Sequence, residues 1–169
     1  AKGKKGSIVA IVRDTQSDIV IAHLLKIDKA LRLRVKEITL DMAGSMRLIS
    51  QKCFPNAVQV IDRFHVQQLA TEALQEIRIR HRWAAIDEEN EAISNAKREG
   101  NEYIATLFEN GDSPKQLLAR SRYLLYKSRD NWTERQKLRA EILFKNYPDI
   151  KEAYNLANGL RRIYNQNIT

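Results

Sequence analysis

Two short apolar runs, Lys36-Glu-Ile-Thr-Leu40 and Ala57-Val-Gln-Val-Ile61, are each followed directly by an aspartate. Their β-branched and aliphatic residues favour strands, and the segment Ala43–Cys53 between them has apolar residues at helical spacing. A strand–helix–strand order predicts parallel strands in an α/β sheet. In such sheets the functional residues gather at the carboxyl ends of the strands. We therefore predict that Asp41 and Asp62 lie at the same edge of a sheet.

An earlier run, Ser7-Ile-Val-Ala-Ile-Val12, is predicted to form a further strand. Apolar residues at helical spacing between Ile19 and Ile27 predict a helix after it. Another helix is expected to begin near Phe64, directly after the second aspartate. Residues 1–66 are therefore predicted to form an α/β region.

Residues 67–169 are predicted to be almost entirely helical. A long helix opens this region, because apolar residues recur at steps of three and four from Val66 to Ile77. The chain holds only 6 Gly and 3 Pro, which also favours long helices. Later breaks and helix starts are predicted at Gly100, Asn110-Gly-Asp-Ser-Pro114, Thr133-Glu-Arg-Gln136 and Pro148.

The composition excludes several classes of protein. Hydrophobic residues make up 43% and charged residues 30% of the 169 residues, which is typical of a globular domain rather than a disordered chain. A single cysteine, Cys53, excludes a disulfide framework and a cysteine-based zinc site. No apolar run has the length of a membrane span, and no secretory signal is present. The chain lacks an initiator Met, so we expect a segment of a longer protein of the cytoplasm.

A net charge of +8 favours contact with nucleic acid, because phosphate contacts provide most non-specific affinity. An ordinary basic protein is the alternative. Arginine beside aromatic residues can hold phosphates and stack on unpaired bases, and Trp83 and Tyr123 stand next to arginines here. Solvated helix faces remain the alternative for each basic patch. The candidate DNA-binding residues are Lys4, Lys5, Arg78, Arg82, Arg120 and Arg122.

Asp41 is the first candidate for catalysis. A carboxylate at a strand end, followed by Met42-Ala-Gly44, is expected to be exposed rather than packed. Hard oxygen ligands of this kind suit Mg²⁺, which serves phosphoryl transfer by activating water and stabilising the leaving oxygen. The alternative is that Asp41 only caps the helix that follows it.

Asp62 and His65 form the second candidate constellation. With Asp62 as the N-cap, His65 is the third helical residue, on the same side of the helix start. The two side chains can then hydrogen-bond and direct the imidazole toward a phosphate or a metal. The alternative is a simple cap followed by a polar surface residue, since an Asp-x-x-His pair alone does not make a metal site.

Several segments resemble a known family. Glu37-Ile-Thr-Leu-Asp-Met-Ala43 and Cys53-Phe-Pro-Asn-Ala-Val-Gln-Val-Ile-Asp-Arg-Phe-His-Val66 resemble the central part of bacterial insertion-sequence transposases with an Asp-Asp-Glu (DDE) catalytic core. Residues 69–91, Asn110-Gly-Asp and Leu117-Leu-Ala-Arg-Ser-Arg-Tyr123 resemble the helical insertion of that group. The resemblance covers essentially the whole chain.

The resemblance implies an α/β fold with a partial RNase H-like core, a few-stranded sheet with helices, in residues 1–66. It implies a mostly α-helical insertion in residues 67–169. Asp41 matches the second catalytic aspartate of the family, and Asp62 with His65 matches an accessory Asp-x-x-His. Asp41 is the metal ligand among them.

The implied reaction is DNA transposition with Mg²⁺ or Mn²⁺, in which water cuts the transposon end and the freed 3′-OH attacks target DNA. The first catalytic aspartate is expected before Ala1 and the glutamate after Thr169. The chain alone is therefore expected to be inactive and to hold no metal. The implied partners are double-stranded DNA, from the transposon ends and the target, and further copies in a homo-oligomer, with no membrane and with a nucleoid-associated, cytoplasmic location.

Two other functions are also compatible with the sequence. A non-catalytic nucleic-acid-binding module predicts salt-sensitive DNA binding that is indifferent to Asp41. A helical protein–protein interaction domain, with incidental basic charge, predicts no DNA affinity even at low salt.

Overall fold

The computed structural model describes residues 8–165. The chain divides into two compact units, Ala1–Val66 and Gln67–Thr169. In neither unit do the described residues contain a helix long and apolar enough to cross a membrane. Each unit is described by itself below.

The first unit combines short helices with a two-stranded parallel sheet. The strands pair in register from Glu37 opposite Val58 to Leu40 opposite Ile61. This arrangement confirms the two strands and the helix between them that the sequence predicts. The elements are α1 (Ser17–Leu24), α2 (Lys29–Leu33), β1 (Glu37–Leu40), α3 (Gly44–Cys53) and β2 (Val58–Ile61).

A small apolar core holds the first unit together. Ile21 of α1 is buried with Ile49 and Cys53 of α3. Burial raises the pKa of the Cys53 thiol above its ordinary value, which keeps the side chain neutral. Arg32 of α2 caps the carboxyl end of α3, because its guanidinium donates to the carbonyl of Cys53 at 2.7 Å. The same guanidinium also donates to the carbonyl of Ile27 at 3.0 Å.

The prediction of a strand at Ser7–Val12 is wrong for residues 8–12, which are the part of it that the structure describes. Residues 8–12 form neither strand nor helix, and Ile8 and Ile11 are exposed. A strand is stable only where a neighbour pairs with its backbone N–H and C=O groups, and among the described residues β1 pairs only with β2. The sheet is therefore smaller than predicted. Its identity as part of an RNase H-like core stays a prediction.

The second unit is helical. The long helix α4 starts at the boundary between the units and extends further than its apolar stripe predicts. The predicted capping box of α6 is confirmed, since Thr133 accepts from the Gln136 backbone N–H at 3.3 Å and Gln136 accepts from the Thr133 backbone N–H at 3.1 Å. The helices are α4 (Arg63–Arg98), α5 (Pro114–Arg120), α6 (Glu134–Asn146) and α7 (Pro148–Asn165), with 3₁₀ turns at Leu124–Tyr126 and Arg129–Asn131.

The core of the second unit is centred on Tyr154 of α7, which is 1% exposed. Its ring lies 5.3 Å, centroid to centroid, from the rings of Trp132 and Phe144. Its hydroxyl donates to the carbonyl of Lys127 at 2.8 Å, and the Trp132 indole N–H donates to the carbonyl of Leu124 at 2.8 Å. The bond from Tyr154 fixes the irregular segment between α5 and α6 to α7, and the bond from Trp132 joins two residues within that segment.

A buried carboxylate forms a second fixed point of this unit. The Asp112 side chain is 1% exposed and pairs with Arg120 and Arg139, with 3.1 Å between Asp112 Oδ2 and Arg139 Nε. Asn110 also donates to Oδ2 at 2.9 Å. Burial acts to raise the pKa of Asp112, but the hydrogen bonds and charges of Arg139 and Arg120 outweigh it and hold that pKa below its ordinary value.

We expect Asp112→Asn to lower the free energy of unfolding by about 3 kcal/mol at pH 7, because the buried arginine contacts lose their carboxylate. The pKa of Asp112 is lowered in the folded state. Its contribution to stability is therefore full above the unfolded carboxyl pKa of about 3.9 and is lost as the pH falls through the lower folded value. Urea unfolding between pH 7 and pH 2 measures both effects.

The matched control is Glu134→Gln, because Glu134 pairs with Lys137 on the surface, where its side chain is 85% exposed. Removing such an exposed pair changes stability by less than about 1 kcal/mol. Equal stability of Asp112→Asn and wild type at pH 7 would contradict the role given to the buried pair.

Candidate functional site

The acidic candidate site lies at the carboxyl ends of β1 and β2. Leu40 and Ile61 are register partners, so Asp41 and Asp62 follow at neighbouring strand ends. The backbone N–H of Asp62 donates to the carbonyl of Leu40 at 2.8 Å, which extends the pairing by one residue, to Asp62. Adjacent strands are about 4.8 Å apart. The parallel pairing thus sets the two aspartates side by side, as the strand order predicts.

Each aspartate also closes the turn that follows its strand. Asp41 Oδ1 accepts from the backbone N–H of Ala43 at 3.0 Å, and Asp62 Oδ1 accepts from that of Phe64 at 2.9 Å. Both residues are only partly buried. The turns fix the direction of both carboxylates while part of each stays in contact with solvent.

His65 lies in the first turn of α4 and is exposed. Its backbone N–H donates to the carbonyl of Asp62 at 3.1 Å. Within residues 8–165 no hydrogen bond joins the two side chains, because the Asp62 carboxylate turns toward the backbone N–H of Phe64 instead. The imidazole is left facing solvent near the acidic edge.

The acidic edge fits a divalent metal in ligand type. Asp41 and Asp62 offer carboxylate oxygens, which Mg²⁺ prefers. No group of three or more His, Cys, Asp or Glu side chains is placed to hold a metal ion in the part of the chain that the structure describes. Asp41 and Asp62 are therefore two carboxylates of the ligand type that Mg²⁺ prefers, without a third such side chain placed beside them in residues 8–165.

Arg78 is a buried residue rather than a surface cation. It is 5% exposed, its Nε donates to Gln75 Oε1 at 2.7 Å, and its Nη1 donates to the carbonyl of Leu118 at 2.9 Å. Burial, together with the nearby charges of Arg122 and Arg82, lowers the pKa of Arg78 from its ordinary value. Its position argues against the phosphate contact predicted from the sequence.

Arg82 and Arg122 are both exposed and lie near Arg78, so the three residues form an arginine cluster. Arg82 is one helical turn beyond Arg78 on α4. Gln75 joins the other two, because its Nε2 donates to the carbonyl of Arg122 at 3.3 Å while its oxygen accepts from Arg78. The Arg122 guanidinium lies 5.5 Å from the ring centroid of Tyr123.

The charge of the arginine cluster is not balanced by acidic side chains. Among the described residues, no ion pair joins Arg78, Arg82 or Arg122 to a carboxylate. The bonds of Arg78 are made to neutral oxygens. A local excess of positive charge with exposed members attracts phosphate groups.

The remaining predicted cations divide into two groups. Arg120 pairs with the buried Asp112, although its own side chain is 55% exposed and the same carboxylate also pairs with Arg139. Lys4 and Lys5 lie outside the described residues. Sequence analysis did not predict the role of Gln75, which links Arg78 to Arg122. The one indication in the sequence is that Gln75 lies three residues before Arg78, on the same face of the helix.

Comparison with known proteins identifies the class. A family model described as a transposase, DDE_Tnp_ISL3, matches residues 1–169, and the chain belongs to this family. The transposase for insertion sequence element IS1557 of Mycobacterium tuberculosis, from strains CDC 1551 / Oshkosh and ATCC 25618 / H37Rv, is 30% identical over 122 residues. These findings confirm the resemblance to insertion-sequence transposases.

The match to the IS1557 transposase covers 69% of this chain and 26% of the relative. The matched segment therefore corresponds to about a quarter of that protein's length. No solved structure matches the chain.

We expect Arg78→Leu to lower the free energy of unfolding by about 1–3 kcal/mol, because it leaves the buried oxygens of Gln75 and Leu118 without their donor. Arg82→Leu, one turn away on the exposed face, is expected to change stability by no more than about 0.5 kcal/mol. Urea unfolding of both variants gives the comparison. Equal effects of the two substitutions would count against the structural role of Arg78.

Proposed function

We propose that this chain is part of an insertion-sequence transposase and supplies one metal-binding carboxylate, Asp41, to the site of DNA cleavage and strand transfer. The observation that carries the proposal is the pairing of β1 and β2, which brings Asp41 and Asp62 to adjacent strand ends with both carboxylates partly exposed. Membership of a transposase family supports the reaction class.

Asp41 is the proposed ligand, with Mg²⁺ or Mn²⁺ as the ion and further carboxylates of the full-length protein completing the site. Such ions serve this chemistry by activating the attacking oxygen and stabilising the leaving 3′ oxygen. The turn bond from Ala43 holds the Asp41 carboxylate in one orientation. Asp62 fixes the start of α4 through Phe64. In this scheme His65, exposed on that first turn, donates a hydrogen bond to a phosphate oxygen.

The arginine cluster is the proposed DNA contact of the second unit. Arg82 and Arg122 bind the phosphate backbone, and the charge of buried Arg78 adds to the positive electrostatic potential at that surface. The proposed substrates are double-stranded transposon ends and target DNA in the bacterial cytoplasm. The active form is a homo-oligomer.

Asp41→Asn in the full-length transposase tests the catalytic part of the proposal. Asparagine keeps a side-chain oxygen for the Ala43 turn but removes the negative charge, so the fold is preserved while the metal ligand is lost. We expect strand cleavage in Mg²⁺ to fall at least 100-fold, since losing even a residue that only hydrogen-bonds to a metal ligand costs about 10–100-fold. Cleavage of end-labelled transposon-end DNA measures the effect.

Asp28→Asn is the matched control. Asp28 closes a similar turn before α2, accepting from the backbone N–H of Ala30 at 2.7 Å, and does not lie at a strand end. It is expected to leave cleavage within about twofold of wild type, because Asn is an equally good N-cap. Retained cleavage by Asp41→Asn would defeat the catalytic assignment and favour a non-catalytic DNA-binding module.

Arg82→Gln/Arg122→Gln tests the DNA contact in the 169-residue chain. Each lost phosphate contact lowers the slope of log affinity against log salt by about 0.9. The double variant is therefore expected to lose about 1.8 from the slope and to bind duplex DNA at least about tenfold more weakly at 0.1 M salt. Fluorescence anisotropy at four salt concentrations gives both values. An unchanged slope would remove the arginine cluster from the interface.

A further inference from the structure

A second basic surface lies along α7, beside the core residues Trp132, Phe144 and Tyr154. The 3₁₀ turn Arg129–Asn131 and α7 border two adjoining depressions of about 600 and 710 Å³. Arg129, Asp130 and Lys151 line both, so the two join into one groove. The cations that line it are Arg129, Lys137, Lys145, Lys151, Arg161 and Arg162, and the carboxylates are Asp130 and Glu141.

Four of these cations have no carboxylate partner. Lys137 and Lys145 pair with exposed glutamates. Within residues 8–165, no ion pair involves the other four, which are Arg129, Lys151, Arg161 and Arg162. The groove therefore carries an excess of positive charge.

Neutral groups hold two of the four unpaired cations in place. Arg129 Nη2 donates to Asn155 Oδ1 at 3.0 Å, and its guanidinium lies 5.9 Å from the ring centroid of Tyr154. Arg161 Nη2 donates to the carbonyl of Tyr126 at 3.1 Å, and its Nη1 donates to Asn158 Oδ1 at 3.4 Å. These bonds orient the guanidinium groups without neutralising them, which lowers the entropy lost when an anion binds.

Besides Tyr154 and Arg161, the polar residues of α7 that line the groove recur at steps of four and three along the helix. They are all cations or amides, and this α7 stripe consists of Lys151, Asn155, Asn158, Arg162 and Asn165. The acidic residues of α7, Asp149 and Glu152, fall outside it. Lysine, arginine and asparagine are the side chains that proteins use to contact phosphate and sugar.

The stripe is long enough to follow several phosphates. At 1.5 Å per residue, Lys151 and Asn165 are about 21 Å apart along the helix axis. One strand of duplex DNA carries a phosphate every 3.4 Å or so of its axis. A run of cations and amides of this length, free of acids, matches an extended phosphodiester backbone better than a single small anion.

We propose that the α7 stripe, with Arg129 and Arg161, is a second binding surface for the phosphate backbone of DNA, made of residues other than those of the arginine cluster. The proposal rests on the proposed function, in that it assumes that this chain contacts DNA. It adds Lys151, Arg161, Arg162 and the amides of α7, which neither the sequence patterns nor the family match assign. The surface contacts backbone and carries no base readout, so its affinity is expected to be independent of DNA sequence.

Lys151→Gln/Arg162→Gln is the first test, in the 169-residue chain with a 30-base-pair duplex and fluorescence anisotropy. We expect the salt slope to fall by about 1.8 and the affinity at 0.1 M salt to fall at least about tenfold. The matched control is Lys97→Gln/Arg98→Gln, which removes two exposed cations from the end of α4. The control is expected to bind within about threefold of wild type.

Asn155→Asp is a second test that removes no cation. An aspartate keeps the oxygen that accepts from Arg129 but neutralises that guanidinium and adds a negative charge to the stripe, so the duplex is expected to bind at least fivefold more weakly. Asn90→Asp is its control, because Asn90 is exposed on α4 and only its backbone carbonyl is engaged, by Ser94. Circular dichroism checks that all variants fold.

The outcomes separate the two proposals. If the wild-type chain binds no duplex at low salt, the DNA contact under the proposed function fails, and this inference fails with it. If the wild type binds and the α7 variants bind equally well, only the α7 surface is overturned. A loss that is confined to the α7 variants, with both controls near wild type, supports the surface.

Discussion

The parallel pairing of β1 with β2 is the interaction on which the acidic site depends. The two aspartates are 21 positions apart in the sequence, and only the register that sets Leu40 opposite Ile61 brings them together. Because the side-chain period of a strand is two, a slip of one residue in this register would turn neighbouring side chains to opposite faces. The core formed by Ile21, Ile49 and Cys53 packs α1 against α3. Strand pairing thus positions the two aspartates, and the packing of α1 on α3 stabilises the unit that contains them.

In the second unit, burial decides which cations are available for a ligand. Arg139 and Arg120 are held by buried Asp112, and Arg78 is held by neutral oxygens inside the fold. These contacts stabilise the unit, and buried Arg78 offers little surface to a phosphate, whereas the Arg120 side chain is still 55% exposed. Surface arginines that lack a carboxylate partner, such as Arg82 and Arg122, keep their charge available. The number of basic residues in the composition is therefore larger than the number available to bind a ligand. The positions of the carboxylates determine which basic residues stay available.

The sequence predicted the local features of the fold and missed those that depend on distant contacts. Strands β1 and β2 and the capping box at Thr133 were predicted because their signals lie within a few residues. The run at Ser7–Val12 carries the same local signal, but a strand also needs a neighbour, which propensity does not supply. The apolar stripe of α4 could not show that Arg78, one turn after buried Leu74, lies on the inner face. Polar residues on an inner face are recognised only when their partners are known.

The two charged features of this chain act over different distances. Unpaired surface cations create a potential that reaches about 8 Å at physiological ionic strength and weakens as salt rises. A carboxylate that ligates a metal acts only at contact, within about 2.1–2.6 Å, and salt screens it far less. The turn bonds at Asp41 and Asp62 supply the fixed orientation that contact chemistry needs, whereas exposed arginines on helix surfaces tolerate variation in position. On the proposed function, capture of DNA is spread over broad helical surfaces, while the reacting groups are confined to a sheet edge.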